Sequence, residues 1–331
     1  MRIIVDAMGT DTHPVPDVAG AVLAARQWGD TITLVGDRAR VEAELAKYQT
    51  GGLHIEVVHA DQVIEMTDHP ADSLKHKPGS SIHVGLGIVG RGEADAFVSA
   101  GNTGAILAVS TLQTPKRIRG IHRATLTAIF QNAVGWTVAA DIGANTDCKP
   151  EFLAQFAMMT SLYTELALKI KQPRVALLSN GEEEEKGNSL VKESAELLQK
   201  LKNVNFVGNV EPKEVLAGET DIVIADGFTG NVMIKSFEAA AATMRNLLKR
   251  EIKAQPLTLL GGALANPAFD RVRKQMDPFE IGGAVLLGLE GVVIVGHGRS
   301  NEIAIKNAIL RAREAVQANL VEAIRQGIQT V

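Results

Sequence analysis

Ile222-Val223-Ile224-Ala225 is an apolar run that passes directly into the polar loop Asp226-Gly227-Phe228-Thr229-Gly230-Asn231. A short continuous apolar run of this kind is typical of a strand that is buried on both faces of a sheet. The two glycines of the loop permit a tight turn, and residues 229–253 have the pattern of a helix. This stretch therefore predicts a strand, a short polar loop and a helix in succession.

The same succession recurs along almost the whole chain of 331 residues. Further strands are predicted at Arg2–Asp6, Thr31–Val35, His54–His59, Ala96–Ser99, Leu126–Phe130, Thr137–Ala140, Arg174–Leu178, Asn205–Val207 and Val292–Val295. Further helices are predicted at 16–28, 37–48, 79–91, 103–113, 149–170, 187–202, 212–217 and 300–327. This alternation predicts an α/β fold of three layers (α/β/α) with a mostly parallel sheet. Because no linker interrupts it, we expect one catalytic domain over residues 1–331.

Composition excludes several classes of protein. The net charge is −4, so there is no overall basic field to favour nucleic acid as a partner. The one cysteine, Cys148, excludes a disulfide within the chain and a cysteine metal cluster. Met1–Asp6 enters a strand without an apolar leader, and no run of 18 apolar residues occurs, so we expect a cytoplasmic protein.

Two polar loops have the composition of an anion site. Ser99–Gly104 and Asp226–Asn231 each contain two glycines and lie between a predicted strand and a predicted helix. Their donor side chains would lie at helix starts, where free N–H groups and the helix dipole favour an anion. For either loop alone, helix capping is the favoured explanation. Because both occur in one chain, they favour a phosphate site.

Residues 180–188 form a third polar loop, in which four glutamates precede Lys186, Gly187 and Asn188. One interpretation is a solvated acidic turn before a helix, which is what acidic runs usually are. The other is that Lys186 binds phosphate and is oriented by a neighbouring glutamate. The residues leave both interpretations open.

Two further loops carry titratable groups. Asp141, Asn145, Asp147 and Lys149 could hold Mg²⁺ or could orient one another, and because their spacing matches no metal site we expect no metal. His297, between two glycines, is a candidate general acid or base, although a lone loop histidine is often ordinary. Cys148 has Asp147 beside it, which disfavours a thiolate. Phosphate binding without a covalent nucleophile is therefore the predicted chemistry.

Taken in chain order, these loops resemble the motifs of the PlsX-type phosphate acyltransferases. The matching segments are Asp6-Ala7-Met8-Gly9-Thr10-Asp11, Ser99–Ala105, Asp141–Asn145, Asn180–Asn188, Val210-Glu211, Asp226–Val232 and His297-Gly298. The sequence departs from the family pattern at Thr10, where a second glycine is usual, and at Arg299, where serine is common. Thr10 would be strained if that position required a positive φ, whereas an extended backbone would remove the problem.

The resemblance implies that acyl-[acyl carrier protein] and inorganic phosphate react to give acyl phosphate and free acyl carrier protein. The product would serve an acylphosphate-dependent glycerol-3-phosphate acyltransferase in phospholipid synthesis. The resemblance also implies a fold similar to isocitrate and isopropylmalate dehydrogenases and to phosphotransacetylase, a homodimer, and no cofactor. Two rival functions stay open: a phosphate acetyltransferase that uses acetyl-CoA, and a non-catalytic membrane scaffold. A related dehydrogenase is disfavoured, because the sequence offers no convincing arginine cluster or metal-binding carboxylate set.

We expect specific roles for the residues of these loops. Phosphate is expected to bind Asn102, Thr103, Thr229, Asn231 and Lys186, with the backbone N–H groups of Gly104 and Gly230. Lys186, Asn231 and His297 are the expected catalytic residues, His297 by handling a proton or the oxyanion. The expected supporting residues are Asp6, Asp141, Asn145, Asn180, Glu182, Asn188 and Asp226.

One segment does not fit the alternating pattern. Residues 254–275 contain Leu257, Leu260 and Leu264, and six basic against two acidic residues in and beside the segment, Lys253 and Arg271 among them, give it a local charge of +4. We expect a protruding helical hairpin near 245–275. An apolar tip flanked by cations suits an anionic membrane surface or the acidic acyl carrier protein. Packing in a dimer interface is the alternative.

Overall fold

The computed structural model describes residues 1–275 and 278–330, and its strands form one sheet. In chain order they are β1 (Arg2–Asp6), β2 (Thr31–Gly36), β3 (Ile55–His59), β4 (Ala96–Ser99), β5 (Thr125–Gln131), β6 (Trp136–Ala140), β7 (Arg174–Leu178), β8 (Asn205–Val210), β9 (Ile222–Ile224), β10 (Ala284–Leu287) and β11 (Val292–Val295). The ten predicted strands are confirmed in position. Sequence reasoning missed β10, because a four-residue apolar run is equally compatible with a buried helix segment.

The helices alternate with the strands, as predicted. They are α1 (Val15–Trp28), α2 (Arg38–Leu45), α3 (Pro70–His76), α4 (Ser81–Gly90), α5 (Thr103–Leu112), α6 (Pro150–Leu166), α7 (Ser189–Leu198), α8 (Pro212–Ala217), α9 (Gly227–Lys253), α10 (Pro256–Gln275), α11 (Pro278–Ile281), α12 (Glu302–Gln317) and α13 (Leu320–Gly327), followed by a 3₁₀ turn at Ile328–Thr330. The helix predicted at 300–327 is divided in two, because Asn319 adopts a left-handed backbone with φ 50°.

The sheet consists of two parallel sections that run in opposite directions. Its order is β3-β2-β1-β4-β11-β10-β5-β6-β9-β7-β8. The section β3-β2-β1-β4-β11 is parallel, and so is the section β6-β9-β7-β8. Between them, β10 and β5 are antiparallel to their neighbours, which reverses the direction three times. The prediction of a mostly parallel sheet is confirmed, and the reversal is a feature that the sequence did not indicate.

Helices cover both faces of the sheet, which confirms the three layers. One apolar core extends along one whole face, where side chains from both sections pack on α1, α6, α12 and α13. The other face has two separate cores: α4 and α5 cover the first section, and α8 and α9 cover the second. Ile142, which follows β6, packs against both of these cores. The loop that begins there therefore lies where the two halves of the molecule meet.

The C-terminal part of α9 and all of α10 form the hairpin that the sequence predicts. Their side chains are mostly exposed, among them Leu257, Leu260 and Leu264, whose exposed fractions are 80%, 61% and 78%. Such exposure of large apolar side chains in one place is unusual for a surface that faces only water. None of the helices in residues 1–275 and 278–330 combines the length and the apolar composition that a membrane span requires.

Candidate active site

Asp6, at the end of β1, connects the loops of the first section. Its carboxylate accepts hydrogen bonds from the Met8 N–H at 3.0 Å and from the Ser99 hydroxyl at 2.6 Å. Burial raises the pKa of this carboxyl, and the hydrogen bonds from Ser99 and Ser81 oppose that effect. The next loop is attached in turn, since the Gly296 N–H donates to the Ser99 carbonyl at 2.8 Å. Asp6 thereby positions the loops that follow β1, β4 and β11.

Asn102 has a side chain that is fully occupied by the protein's own backbone. Its Oδ1 accepts from the Ala105 N–H at 3.0 Å and so caps α5. Its Nδ2 donates to the carbonyls of Glu65, Met66 and Asp68 at 3.2, 3.3 and 3.0 Å. The side chain therefore fastens segment 65–68 beside the start of α5. Phosphate binding by this amide stays a prediction, and it would require these bonds to break.

Thr103 and Gly104 form the first turn of α5. The Thr103 side chain is exposed, and its hydroxyl forms no hydrogen bond with the described residues. The first N–H groups of a helix lack an intrahelical partner, which applies here to Thr103 and Gly104. The start of α5 can therefore offer a hydroxyl and two backbone N–H groups to an anion.

Asp141 organises the loop that follows β6. Its Oδ1 accepts from the N–H groups of Leu126, Gly143 and Ala144 at 3.0, 3.3 and 3.2 Å. Its Oδ2 accepts from the Asn145 N–H at 2.7 Å and from the Asn145 Nδ2 at 2.8 Å. The residue is fully buried, and burial raises the pKa of its carboxyl. Five hydrogen bonds on one buried carboxyl fix the loop 141–145 in shape.

The start of α9 packs directly against that loop. Asp226 caps the helix, accepting from the Thr229 N–H at 2.9 Å and from the Thr229 hydroxyl at 2.7 Å. Gly230 allows the close approach, because a Cβ at this position would clash with the carbonyl oxygen of Asp141. Thr229 is exposed, so its hydroxyl oxygen can still accept a hydrogen bond, although its proton is used.

The two halves meet at the loop 142–145. On one side, Ala144 lines a small hollow together with Thr103 and Val295. On the other side, a Cβ at Gly143 would lie 3.7 Å from the Nδ2 of Asn231, whose side chain is exposed. The structure thus brings the predicted donors Thr103 and Asn231 to the two sides of one loop, with the starts of α5 and α9 near each other.

His297 lies in the loop after β11 and near α9. Its Nδ1 accepts a hydrogen bond from the Arg299 N–H at 3.1 Å, so a neutral ring carries its proton on Nε2. Burial lowers the pKa of His297, and the positive charges of Arg299 and Lys235 lower it further. Because the ring is exposed and predominantly neutral at pH 7, it can donate a hydrogen bond from Nε2.

Lys186 has an exposed side chain on the loop after β7. Asn180 Oδ1 accepts from the Gly187 N–H at 3.0 Å and gives this loop its shape, while Asn188 Oδ1 accepts from the Val191 N–H at 3.0 Å and caps α7. Because β7 pairs with β9 in parallel, the loop begins at the same edge of the sheet as the start of α9. No hydrogen bond or ion pair joins the Lys186 ammonium to the described part of the chain, so its role stays a prediction.

Glu182 belongs to a small cluster of carboxylates at the same edge. The Lys213 ammonium lies 2.7 Å from Glu211, 3.1 Å from Glu214 and 4.0 Å from Glu182. The neighbouring Glu214 raises the pKa of the Glu182 carboxyl. A lysine already supplies a positive charge to the three carboxylates, so this arrangement is explained as an ion-pair network that supports the loop 180–188.

Cys148 is poorly suited to be a nucleophile. Burial, and then the charge of Asp141, raise the pKa of its thiol to about 12. A group with that pKa stays a thiol at neutral pH, and the thiol is a weak nucleophile. The geometry therefore agrees with a reaction that needs no covalent intermediate on cysteine.

Sequence reasoning missed one buried pair near the site. The Thr10 hydroxyl donates to Oδ2 of Asp17 at 2.5 Å, and both residues are buried. Thr10 is not strained, because the non-glycine residues at positive φ are Lys116, Lys169, Gln172 and Asn319. Burial, with a smaller contribution from Asp6, raises the pKa of Asp17 to about 8. An aspartate in the first turn of a helix is common, so the sequence carried no signal for this pair.

Comparison with known protein sequences identifies relatives over the whole chain. The model of the family described as "Fatty acid synthesis protein" matches residues 1–323. A phosphate acyltransferase from Herpetosiphon aurantiacus is 43% identical, with 100% of this chain and 98% of the relative covered. A phosphate acyltransferase from Citrifermentans bemidjiense is 46% identical, with 95% of this chain and 89% of the relative covered.

Solved structures show where else the fold occurs. A phosphotransacetylase from Streptococcus pyogenes superposes with a TM-score of 0.62 at 18% identity, covering 96% of this chain and 94% of its own. A branched-chain phosphotransacylase from Enterococcus faecalis superposes with a TM-score of 0.61 at 14% identity, covering 96% and 99%. At these identities the likeness concerns the fold alone. The sequence relatives settle the family: the chain belongs to the fatty acid synthesis protein family, the family of these phosphate acyltransferases.

Proposed function

We propose that this protein transfers a fatty acyl group from acyl carrier protein to inorganic phosphate, and that the acyl phosphate enters phospholipid synthesis. The observation that carries the proposal is the placement of the starts of α5 and α9 on the two sides of the loop 142–145, with Thr103 and Asn231 exposed there. The free N–H groups at the start of α5, the exposed Asn231 amide and the dipoles of both helices suit a phosphate anion. At the start of α9 the Gly230 N–H donates to the Asp226 carbonyl at 2.9 Å, so phosphate binding by that N–H stays a prediction. Membership of the acyltransferase family supports the acyl donor half of the reaction.

The proposed reaction needs few groups from the protein. An oxygen of hydrogen phosphate attacks the thioester carbonyl carbon, a C–O bond forms, and the C–S bond breaks. The proton of the attacking phosphate leaves with the sulfur, so acyl phosphate and a free thiol result. The Nε2–H of His297 donates to the carbonyl oxygen while negative charge develops on it. A neutral imidazole suits this role, because it keeps its proton throughout.

Lys186 is proposed to contact the phosphate. Its exposed ammonium, on the loop after β7, is free of other partners within residues 1–275 and 278–330. We expect Lys186→Ala to raise the phosphate KM about tenfold, the effect of losing one charge-assisted contact, and to leave the KM for acyl carrier protein unchanged. The control is Lys192→Ala, an exposed lysine on α7. An unaltered phosphate KM in the Lys186 variant would remove this residue from the site.

The deciding experiment is to incubate the protein with palmitoyl-[acyl carrier protein] and phosphate, and to trap acyl phosphate with hydroxylamine as the hydroxamate. Phosphate-dependent hydroxamate together with free carrier protein is the expected result. Product from acetyl-CoA, and none from the carrier protein, would favour a phosphate acetyltransferase. Product from neither donor would reject the proposal and favour a non-catalytic scaffold.

We also propose that this is a cytoplasmic protein that associates peripherally with membranes through the hairpin. Leu257, Leu260 and Leu264 are among its most exposed apolar side chains, and Lys253 and Arg271 are exposed beside them. Apolar side chains that insert, and cations that contact anionic headgroups, suit such a surface.

Binding to vesicles tests this association. We expect Leu260→Glu to reduce co-sedimentation with vesicles that contain phosphatidylglycerol. Val207→Glu, at an exposed apolar position on β8, serves as the control and should bind like the unaltered protein. If both variants bind equally well, the hairpin is not the membrane contact. Docking of acyl carrier protein on this basic hairpin then becomes the alternative.

We also propose a homodimer, because large apolar side chains are exposed on α9. Met244, Leu247 and Leu248 on α9 are exposed apolar side chains at the base of the hairpin, where a second copy could pack. Sedimentation equilibrium at two protein concentrations distinguishes a dimer from a monomer.

An acylphosphate-dependent glycerol-3-phosphate acyltransferase is the proposed recipient of the acyl phosphate product.

A further inference from the structure

A cavity of about 620 Å³ lies beside the loop that carries His297. It is bounded by α1, by the start of α12 and by Tyr48, which follows α2. Ligand sites in proteins commonly have volumes of several hundred Å³, so this cavity is large enough for a substrate. Thr12, Arg299 and Ser300 form its near end, and the roles assigned above to the phosphate loops leave it unused.

One face of α1 forms the long wall of the cavity. The lining residues on this helix are Val15, Pro16, Ala19, Val22, Leu23 and Arg26. Their spacing of three and four residues places them on a single side of the helix. Val15 and Arg26 are eleven residues apart, which corresponds to about 16 Å along a helix. The cavity is thus an elongated groove that leads from the His297 loop to Arg26.

The two ends of the groove carry cations. Arg299 lines the near end and Arg26 the far end, and both side chains are exposed. Arg26 donates to the Gln49 carbonyl at 2.8 Å, and neither arginine forms an ion pair with any carboxylate of the residues that the structure describes. Glu302 also lines the groove, and its carboxylate can accept hydrogen bonds from N–H or O–H donors. The walls between these groups are apolar.

We propose that this groove binds the phosphopantetheine arm by which the acyl group is carried, a proposal that rests on the proposed function. Such an arm is elongated, has an anionic phosphate at one end and a thioester at the other, and carries two amides and a pair of methyl groups between. The phosphate pairs with Arg26, the methyl groups lie on Ala19 and Leu23, and an amide N–H donates to Glu302. The thioester then lies at the His297 loop.

A bare acyl chain matches this groove less well. A hydrocarbon chain would cover the Arg26 guanidinium without supplying a negative charge, and would cover the Glu302 carboxylate without supplying a donor, and burying charged groups in this way costs free energy. The groove also opens at the surface, where a carrier protein has to approach. The mixture of charged ends and apolar walls therefore favours the arm over the acyl chain.

The test compares acyl carrier protein with and without its phosphopantetheine arm, in binding assays with the whole protein. We expect the form with the arm to bind about tenfold more tightly, and Ala19→Trp, which fills the groove, to abolish that difference. Gln27→Trp, at an exposed position on α1 that does not line the groove, is the matched control. Arg26→Glu, compared with Gln27→Glu, provides a second test at the surface if the tryptophan variant does not fold.

Kinetics then identify the occupant. Ala19→Trp should raise the KM for palmitoyl-[acyl carrier protein] and for palmitoyl-CoA, since both contain the arm, with the phosphate KM unchanged. A larger effect of Arg26→Glu with the carrier protein than with coenzyme A would identify the carrier-bound arm as the source. The proposal is overturned if the unaltered protein binds both forms equally, or if only long acyl chains are affected. Because the binding assay needs no turnover, its result stands even if no acyl phosphate is formed.

Discussion

The helices α5 and α9 begin with similar sequences, yet their asparagines have opposite surroundings. Asn102 is buried and precedes the helix as its cap, with four hydrogen bonds to backbone groups. At α9 the capping position belongs to Asp226, so Asn231 lies inside the helix and is exposed. The position of an asparagine relative to the helix start thus decides whether its amide is structural or free for a ligand.

A second contrast exists between the hydrogen-bond partners of two buried aspartates, Asp6 and Asp141. Asp6 accepts hydrogen bonds from one backbone N–H and from the Ser99 hydroxyl, whereas Asp141 accepts from four backbone N–H groups and one side-chain amide. Hydroxyls can rotate to other partners, but backbone N–H groups in a fixed loop cannot. The second half of the site should therefore depend more strongly on its aspartate.

The largest expected effect is that of Asp141→Ala. Removal of the carboxyl leaves several buried donors unsatisfied, so we expect the free energy of unfolding to fall by about 3 kcal/mol or more. Urea denaturation measures this change. Asp147→Ala, where the only hydrogen bond described is a 3.4 Å contact from Thr146, should change stability by less than about 0.5 kcal/mol. Equal effects of the two substitutions would contradict the role given to Asp141.

The next largest effect distinguishes substitution of Asn102 from substitution of Asn231. Asn102→Ala removes a helix cap and three further hydrogen bonds, and we expect a loss of about 2 kcal/mol in urea denaturation. Asn231→Ala should leave stability within about 0.5 kcal/mol, because its side chain is exposed, and should instead raise the phosphate KM. Stability loss in the Asn231 variant, with unaltered phosphate kinetics, would reverse the comparison.

The smallest expected change, taken per pH unit, concerns the Thr10–Asp17 pair and the pH dependence of stability. Burial raises the pKa of Asp17 to about 8, so between its unfolded pKa and that value the folded state binds more protons than the unfolded state. Stability from this group is therefore complete below pH 4 and is lost as the pH rises towards 8, by at most about 1.4 kcal/mol per pH unit.

Asp17→Asn tests whether stability falls in this way as the pH rises. The amide does not titrate and can still accept from Thr10, so the variant should lose less stability than the unaltered protein between pH 5 and pH 8. Thermal unfolding at several pH values measures the slope. Parallel curves for the two proteins would mean that Asp17 is ionised in the folded state.

Much of the fold could be predicted from local sequence. The run Ile222–Ala225 contains β9, as expected for a short continuous apolar run that an α/β pattern buries on both faces of the sheet. Loops such as Ser99–Gly104 and Asp226–Asn231 could be predicted as helix starts for the same local reason. The left-handed residue Asn319, which divides the last long helix, lay in a segment with no glycine or proline to indicate a break.

The amino-acid sequence by itself determined the α/β class, ten of the strands, the loops that carry polar side chains, and, through its ordered motifs, the family. Only the tertiary structure decided that the two sheet sections run in opposite directions, that Asn102 is occupied while Thr103 and Asn231 are exposed, and that Asp17 is buried beside Thr10. The physical reason is the distance along the sequence over which each property is determined. Strands, turns and caps depend on neighbours within a few residues, whereas burial, hydrogen-bond partners and pKa values depend on groups that are distant in sequence and meet only in the folded chain.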